Sequence, residues 1–187
     1  MTQFGIERIL EKNPVIPVAT IFDEVDMHQK IEKITTAGIK CIEITLRTDF
    51  ALTAIEQIKA MQLPDFSVGV GTVTNAAQLR AVKKLAVDFI VSPGLTSQLH
   101  EDFIETEIPF IPGVSTVSEI MRGMELGLTY FKFFPANLFG GLAALQAYGQ
   151  LFPHLRFCPT GGISEATYND YLKEKNIISV GGSWMLK

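Results

Sequence analysis

The chain is poor in the residues that build disulfide frameworks and metal sites. Its 187 residues include two cysteines and three histidines. Cys41 and Cys158 lie far apart inside apolar runs of β character, with no Cys or His at metal-ligand spacing, so both read as buried, reduced thiols. His28, His100 and His154 each stand alone among polar or turn residues, which predicts surface positions and no bound metal. Charge is also scarce: 19% of residues are charged, against roughly 25% on average, which points to extensive burial and a subunit interface. The 16 basic residues are scattered and outnumbered by 20 acidic ones, for a net charge of -4, so there is no electrostatic footprint for nucleic acid. The first twelve residues carry Glu7, Arg8, Glu11 and Lys12 and lack the apolar core of a signal peptide, which makes cytoplasmic residence the expectation. The longest uncharged stretch, 133–155, is interrupted by Pro135, Asn137, Gly140, Gly141, Gln146, Gln150 and Pro153, so no membrane span is expected.

What is present is an apolar content of 47% and a length suited to one domain over residues 1–187. Short β-rich runs alternate with segments of helical periodicity, from Pro14–Thr20 and Asp23–Ala37, where Asp23 is an N-cap, to a last strand at Ile178–Trp184. Between them lie strands at Cys41–Leu46, Phe66–Thr72, Phe89–Gly94, Pro109–Val114, Tyr130–Pro135 and Arg156–Gly161, each followed by a helix, with Asn75 as another N-cap. Eight strands in such a series predict a parallel sheet closed into a (β/α)8 TIM barrel, with an open doubly wound sheet as the alternative. In a barrel the chemistry sits at the C-terminal strand ends, and the loops after the last two strands often bind phosphate.

Those two loops read Thr160-Gly161-Gly162-Ile163-Ser164 and Gly181-Gly182-Ser183-Trp184. Paired glycines let backbone N–H groups approach an anion closely, and short helices starting there would add their positive ends, so the two together predict a phosphate cup. The second strand alternates with period two, sending Ile42, Ile44 and Leu46 to the helices and Glu43 and Arg47 into the barrel, with Arg47 at the mouth. Arg47 is either half of a structural ion pair or a fork for a substrate carboxylate, with Glu43 handling protons. In the sixth strand Phe131 and Phe133 face the helices while Lys132 and Phe134 face inward. A desolvated interior favours the neutral amine of Lys132, which either pairs with Glu43 for structure alone or attacks a carbonyl to form a Schiff base. Thr72 and Pro93 end the third and fourth strands, where a plain strand-ending turn competes with a ligand contact.

With these residues assembled, the sequence resembles the 2-keto-3-deoxy-6-phosphogluconate (KDPG) aldolases, also called 4-hydroxy-2-oxoglutarate aldolases. The likeness runs in order through Pro14-Val15-Ile16-Pro17-Val18, Ile42-Glu43-Ile44-Thr45-Leu46-Arg47-Thr48, Gly71-Thr72-Val73, Ser92-Pro93-Gly94-Leu95-Thr96, Ile111-Pro112-Gly113-Val114-Ser115-Thr116, Phe131-Lys132-Phe133-Phe134-Pro135-Ala136, Arg156-Phe157-Cys158-Pro159-Thr160-Gly161-Gly162-Ile163-Ser164 and Gly181-Gly182-Ser183-Trp184. It implies a class I aldolase of the Entner-Doudoroff route that cleaves a phosphorylated keto acid to pyruvate and glyceraldehyde 3-phosphate without metal or other cofactor. By the family motif Lys132 forms the Schiff base and Glu43 shuttles protons. Arg47, Thr72 and the Pro93 segment would receive the pyruvyl carboxylate, Phe134 would pack on the substrate, and Thr160 would contact its hydroxyl groups. Gly161, Gly162, Gly181, Gly182 and Ser183 would hold the phosphate. The family is typically a homotrimer and continues past Trp184 into a last helix; this sequence ends at Lys187, so the eighth helix is expected to be missing. Two alternatives remain: an aldolase for the galactonate epimer, against which Thr160 before the glycine pair argues, and a non-catalytic phosphosugar-binding barrel, which could dispense with Lys132 and Glu43. A metal-dependent aldolase is disfavoured because no His, Asp or Glu cluster lies at the strand ends.

Overall fold

A computed structural model describes Gln3 and residues 5–187. Parallel strands β1 (Val15–Ala19), β2 (Cys41–Thr45), β3 (Ser67–Gly71), β4 (Phe89–Val91) and β5 (Phe110–Ile111) pair in sequence, and β9 (Val180–Gly182) adds to the free side of β1. A second ribbon holds β6 (Gly113–Val114), β7 (Tyr130–Phe133) and β8 (Arg156–Pro159). The strand expected at Pro109–Val114 is thus two pieces, β5 pairing with β4 and β6 with β7. Pro112 between them has no N–H to give to a ladder, yet its carbonyl accepts from Lys132 N at 2.8 Å. At the other junction β8 meets the β9 segment through isolated bridges, Phe157 with Ile177 and Thr160 with Gly181. The result is an α/β fold around a barrel-like, incompletely closed sheet, and not the uninterrupted ring of eight ladders that the alternation predicts.

Helices α2 (Glu24–Thr36), α3 (Ala51–Ala60), α4 (Ala76–Lys83), α5 (Ser97–Ile104), α6 (Val117–Glu125), α7 (Gly141–Leu151) and α8 (Tyr168–Leu172) follow strands. Several begin where a side chain satisfies an orphan N–H. Asp23 accepts from Asp26 N, Asn75 from Gln78 N and Thr96 from Leu99 N, while Thr116 and Glu119 form a reciprocal capping box. The helix expected after the strand at Arg156–Gly161 becomes regular only at Tyr168, because Ser164 and Thr167 first close a turn on each other.

The period-two pattern sorts two apolar layers. Ile42 and Ile44 join Ile55 and Ile58 of α3 in the shell between sheet and helices, while Ile16, Cys41, Phe89, Val91, Ile111 and Cys158 fill the interior. A helix that the strand-helix alternation does not anticipate, α1 (Ile6–Lys12), buries Ile6 and Leu10 against that interior group. Gln3 laces the gap between β5 and β7: its amide donates to Tyr130 O at 2.7 Å and accepts from Thr129 N and Tyr130 N.

His100 departs from the surface position expected of it. It is 5% exposed on α5, edge-on to Phe110, with Nε2 buried and unpartnered. Burial holds its imidazole below the ordinary value of 6.5, against a smaller upward pull from Glu101. The unfolded chain therefore takes up the proton first, so the His100 contribution to stability is complete above pH 6.5 and is lost as pH falls below it. Urea unfolding at pH 7.5 and 5.5 should show a smaller loss on acidification in His100→Leu than in the unsubstituted protein.

Candidate active site

The interior of the mouth is organised by one buried ion pair. Lys132 on β7 and Glu43 on β2 are 6% and 4% exposed, and Lys132 Nζ lies 3.0 Å from Glu43 Oε1 and 3.3 Å from Oε2. Both side chains point inward, as the alternation predicts; Phe131 instead packs beside Gly123 of α6, and Phe133 meets Tyr148 of α7. Room for the carboxylate comes from Gly71, where a Cβ would stand 2.1 Å from Glu43 Oε1. Phe134 presents its ring 5.3 Å from Lys132 Nζ and is held by its N–H to Val114 O and its carbonyl to Ser115 Oγ. Cys158, the register partner of Lys132 on β8, is a free thiol hydrogen-bonded to Ser179. Burial pushes this thiol up to about 11, and burial likewise raises Cys41, so neither adds an anion beside the pair at neutral pH.

A cavity of about 390 Å³ opens over Lys132. Its wall includes Arg47, Lys132, Phe134, Thr160, Gly161, Gly162, Gly182 and Ser183, which are most of the positions singled out by sequence. Glu43 stands behind Lys132 and off the wall. Thr72 and Pro93 end β3 and β4 near the mouth without lining the cavity, and Gly181 also lies off it, where a Cβ would collide with Thr160 Oγ1 at 2.4 Å. Thr72 carries a positive φ of 62°, strained for a β-branched residue. Thr160 Oγ1 is buried and turned toward Gly181, away from solvent. Arg47 makes no ion pair among the described residues.

At the glycine loops the backbone does the work. Gly161 and Gly162 have φ of +103° and +70°, which glycine alone adopts without strain, and the Gly162 Cα abuts the Asn137 side chain. Since α8 starts only at Tyr168, no helix N-terminus sits at Gly162; the loops themselves, through Gly161, Gly162, Gly182 and Ser183, line the cavity.

The wall also includes Val18, Thr20, Lys30, Ile163, Leu186 and Lys187, none of which sequence reasoning selected. Lys30 is the instructive omission. It lies midway along α2, but helical side chains lean toward the N-terminus, which in a strand-helix unit is the mouth. Its ammonium donates to Thr20 O at 2.8 Å and to Asp26 Oδ2 at 2.6 Å. Burial pushes the Asp26 carboxyl up, but the Lys30 ammonium and the Phe22 N–H outweigh it and hold that carboxyl below its usual range. Among the described residues, no group of three or more His, Cys, Asp or Glu is placed to hold a metal ion.

Residues 6–187 match the family described as "Aldolase: KDPG and KHG aldolase". Over 180 residues the chain is 48% identical to the 2-dehydro-3-deoxy-phosphogluconate aldolase of Dickeya dadantii, covering 96% of this chain and 84% of that one. It is similar to the crystal structure of the 2-keto-3-deoxy-6-phosphogluconate aldolase of Zymomonas mobilis ZM4 with 3-phosphoglycerate, at TM-score 0.92 and 40% identity over 97% of this chain and 86% of that one. It is also similar to KDPG aldolase from Legionella pneumophila with pyruvate captured at low pH as a covalent carbinolamine intermediate, at TM-score 0.90 and 41% identity over 95% and 86% of the two chains.

The fit of Gly71 to Glu43 is directly testable. Gly71→Ala should displace the Glu43 carboxylate out of hydrogen-bond range of Lys132 and cost stability by about the 3–5 kcal/mol of a broken buried pair. A crystal structure of the variant, with its urea unfolding curve, checks both parts.

Proposed function

The chain belongs to the KDPG and KHG aldolase family, and from that membership we propose that it is a class I aldolase that reversibly cleaves 2-keto-3-deoxy-6-phosphogluconate to pyruvate and glyceraldehyde 3-phosphate, and 4-hydroxy-2-oxoglutarate to pyruvate and glyoxylate. The observation that carries this reading is an almost fully buried lysine on a cavity wall, with a single carboxylate 3.0 Å from its Nζ. Lysine is placed in an interior at high cost unless paired, and a pair that opens onto a cavity can exchange its proton with a ligand.

In this reading Glu43 takes the proton that Lys132 must lose before its lone pair attacks the C2 carbonyl. The carbinolamine loses water to become an iminium. A base removes the C4 hydroxyl proton, the electrons of the C3–C4 bond move to the iminium nitrogen, and the aldehyde departs. The remaining enamine takes a proton at C3, and water releases pyruvate from Lys132. Glu43 serves these proton transfers, and no cofactor takes part. Arg47 offers its fork to the carboxylate, Phe134 bounds the reacting carbon, and Thr160 on the cavity wall stands beside the substrate hydroxyl groups. Thr72 and Pro93 belong to the same carboxylate end through their place beside Gly71 and β6. The bare N–H groups of Gly161, Gly162, Gly182 and Ser183 hold the phosphate, with Gly181 behind them leaving room for Thr160.

The same proposal takes residues 1–187 as one catalytic domain, a (β/α)8 barrel distorted at Pro112, acting in the cytoplasm. No helix among the described residues is long and apolar enough to cross a membrane. A homotrimer is part of the proposal, supported by the family resemblance and by exposed apolar side chains such as Phe22 and Leu138, and sedimentation equilibrium measures it.

Borohydride reduction in the presence of pyruvate, followed by peptide mass mapping, tests the chemistry. The adduct should map to Lys132. Lys132→Arg should lose both cleavage and adduct, because guanidinium does not deprotonate to a nucleophile at working pH. Glu43→Gln should slow turnover by about 10²–10⁴-fold, the worth of general acid-base catalysis, and still yield adduct. An adduct retained in Lys132→Arg would assign the nucleophile elsewhere.

A further inference from the structure

Lys30 is a cation on the cavity wall that belongs to none of the motifs carrying the family resemblance. Around the mouth the wall runs from Lys132 on β7 to the loop after β8, then to Gly182 and Ser183 after β9, and then to Thr20 after β1 with Lys30 on α2. A substrate bound through its carbonyl to Lys132 and stretched past Thr160 therefore brings its far end to β9, β1 and α2. The 3-10 turn Trp184–Leu186, which directly follows Ser183, packs on α2, and Lys33 of α2 donates to Lys187 O, so Lys30 stands beside the second glycine loop.

The environment of this ammonium differs from that of a surface helix pair. Its side chain is 17% exposed, and it is held from two directions, by the Asp26 carboxylate and by a backbone carbonyl at the end of β1. Both oxygens of that carboxylate are within reach, Oδ1 at 2.5 Å and Oδ2 at 2.6 Å, and the Phe22 ring lies 5.7 Å away, so a further anion would share the ammonium with Asp26. The cavity wall holds four basic side chains, Lys30, Arg47, Lys132 and Lys187, and no acidic one. The glycine loops can supply N–H groups to a phosphate dianion but no full charge, and a charge-assisted bond is roughly twice as strong as a neutral one.

We propose that Lys30 is a specificity-determining residue whose ammonium, poised by Asp26 and Thr20, binds the phosphate monoester at the end of the keto acid distant from its carbonyl. This rests on the aldolase reading above and adds to it a residue that sets preference for phosphorylated over unphosphorylated substrate. The plain alternative is an i,i+4 pair that only stabilises α2.

The test compares kcat/KM for 2-keto-3-deoxy-6-phosphogluconate with that for unphosphorylated 2-keto-3-deoxygluconate. Lys30→Met should lower the ratio of the two about ten-fold or more, as for one lost hydrogen bond to a charged group, with the change carried in KM for the phosphorylated compound. Lys30→Arg should restore part of it. Asp26→Asn, which removes the pair but keeps the cation, should hold the ratio at or above that of the unsubstituted protein. A structural pair predicts instead that Met at 30 and Asn at 26 behave alike, depressing both substrates together with the ratio unchanged, and that result overturns the proposal. Should Lys30→Met fail to fold, Lys30→Gln, which keeps a polar side chain but removes the charge, is read in its place: a fallen ratio supports the assignment and an unchanged one overturns it. The unsubstituted protein's borohydride adduct with pyruvate involves no distal group, so its absence would overturn the aldolase reading and leave a signature different from any of these.

Discussion

A carboxylate and an ammonium share the inside of a barrel, and much of the surrounding structure is arranged to keep them there. Removing one partner of such a pair typically costs about 3–5 kcal/mol, because the other is stranded in a medium that solvates it poorly. Lys132 and Glu43 are consequently kept close by groups that contribute space or neutrality. Gly71 leaves the volume that the carboxylate occupies, and Cys158 stays protonated beside the pair. Below them Phe89, Ile111 and the plug of α1 exclude water from one side, so the cavity is the side from which a ligand reaches the amine.

The rest of the mouth divides by kind of recognition. On one stretch stands Arg47, which makes no ion pair among the described residues; on another stand the glycine loops, where Gly161 and Gly162 take positive φ. Between them lies Thr160, whose Oγ1 is buried against Gly181.

Much of this was legible in the sequence because it follows from a period of two. Once the apolar residues of β2 and β7 are assigned to the helices, Glu43 and Lys132 have nowhere to point but inward, and Asp23 and Asn75 mark helix starts by an equally local rule. What escaped depends on distance along the chain. The break at Pro112 needs the knowledge that β4 and β7 flank one strand and diverge there. The burial of His100 depends on α5 packing over Phe110, which its polar neighbours do not reveal. Lys30 was passed over because it reads as the partner of Asp26 four residues earlier, and only the three-dimensional path of β1 and α2 brings that pair to the cavity. The late start of α8 has a similar cause, as the turn between Ser164 and Thr167 competes with helix for the same residues.

Glu43 belongs to the six-stranded ribbon and Lys132 to the three-stranded one, and between those ribbons the sheet is joined by the backbone at Pro112 and by isolated bridges near Thr160. The pair is therefore a chord across a two-piece frame. A relative movement of the two pieces changes its length. The separation of acid and amine is in that sense a gauge of how the two halves are seated, and mutations at the joints, far from any substrate, act on it like an adjustment screw.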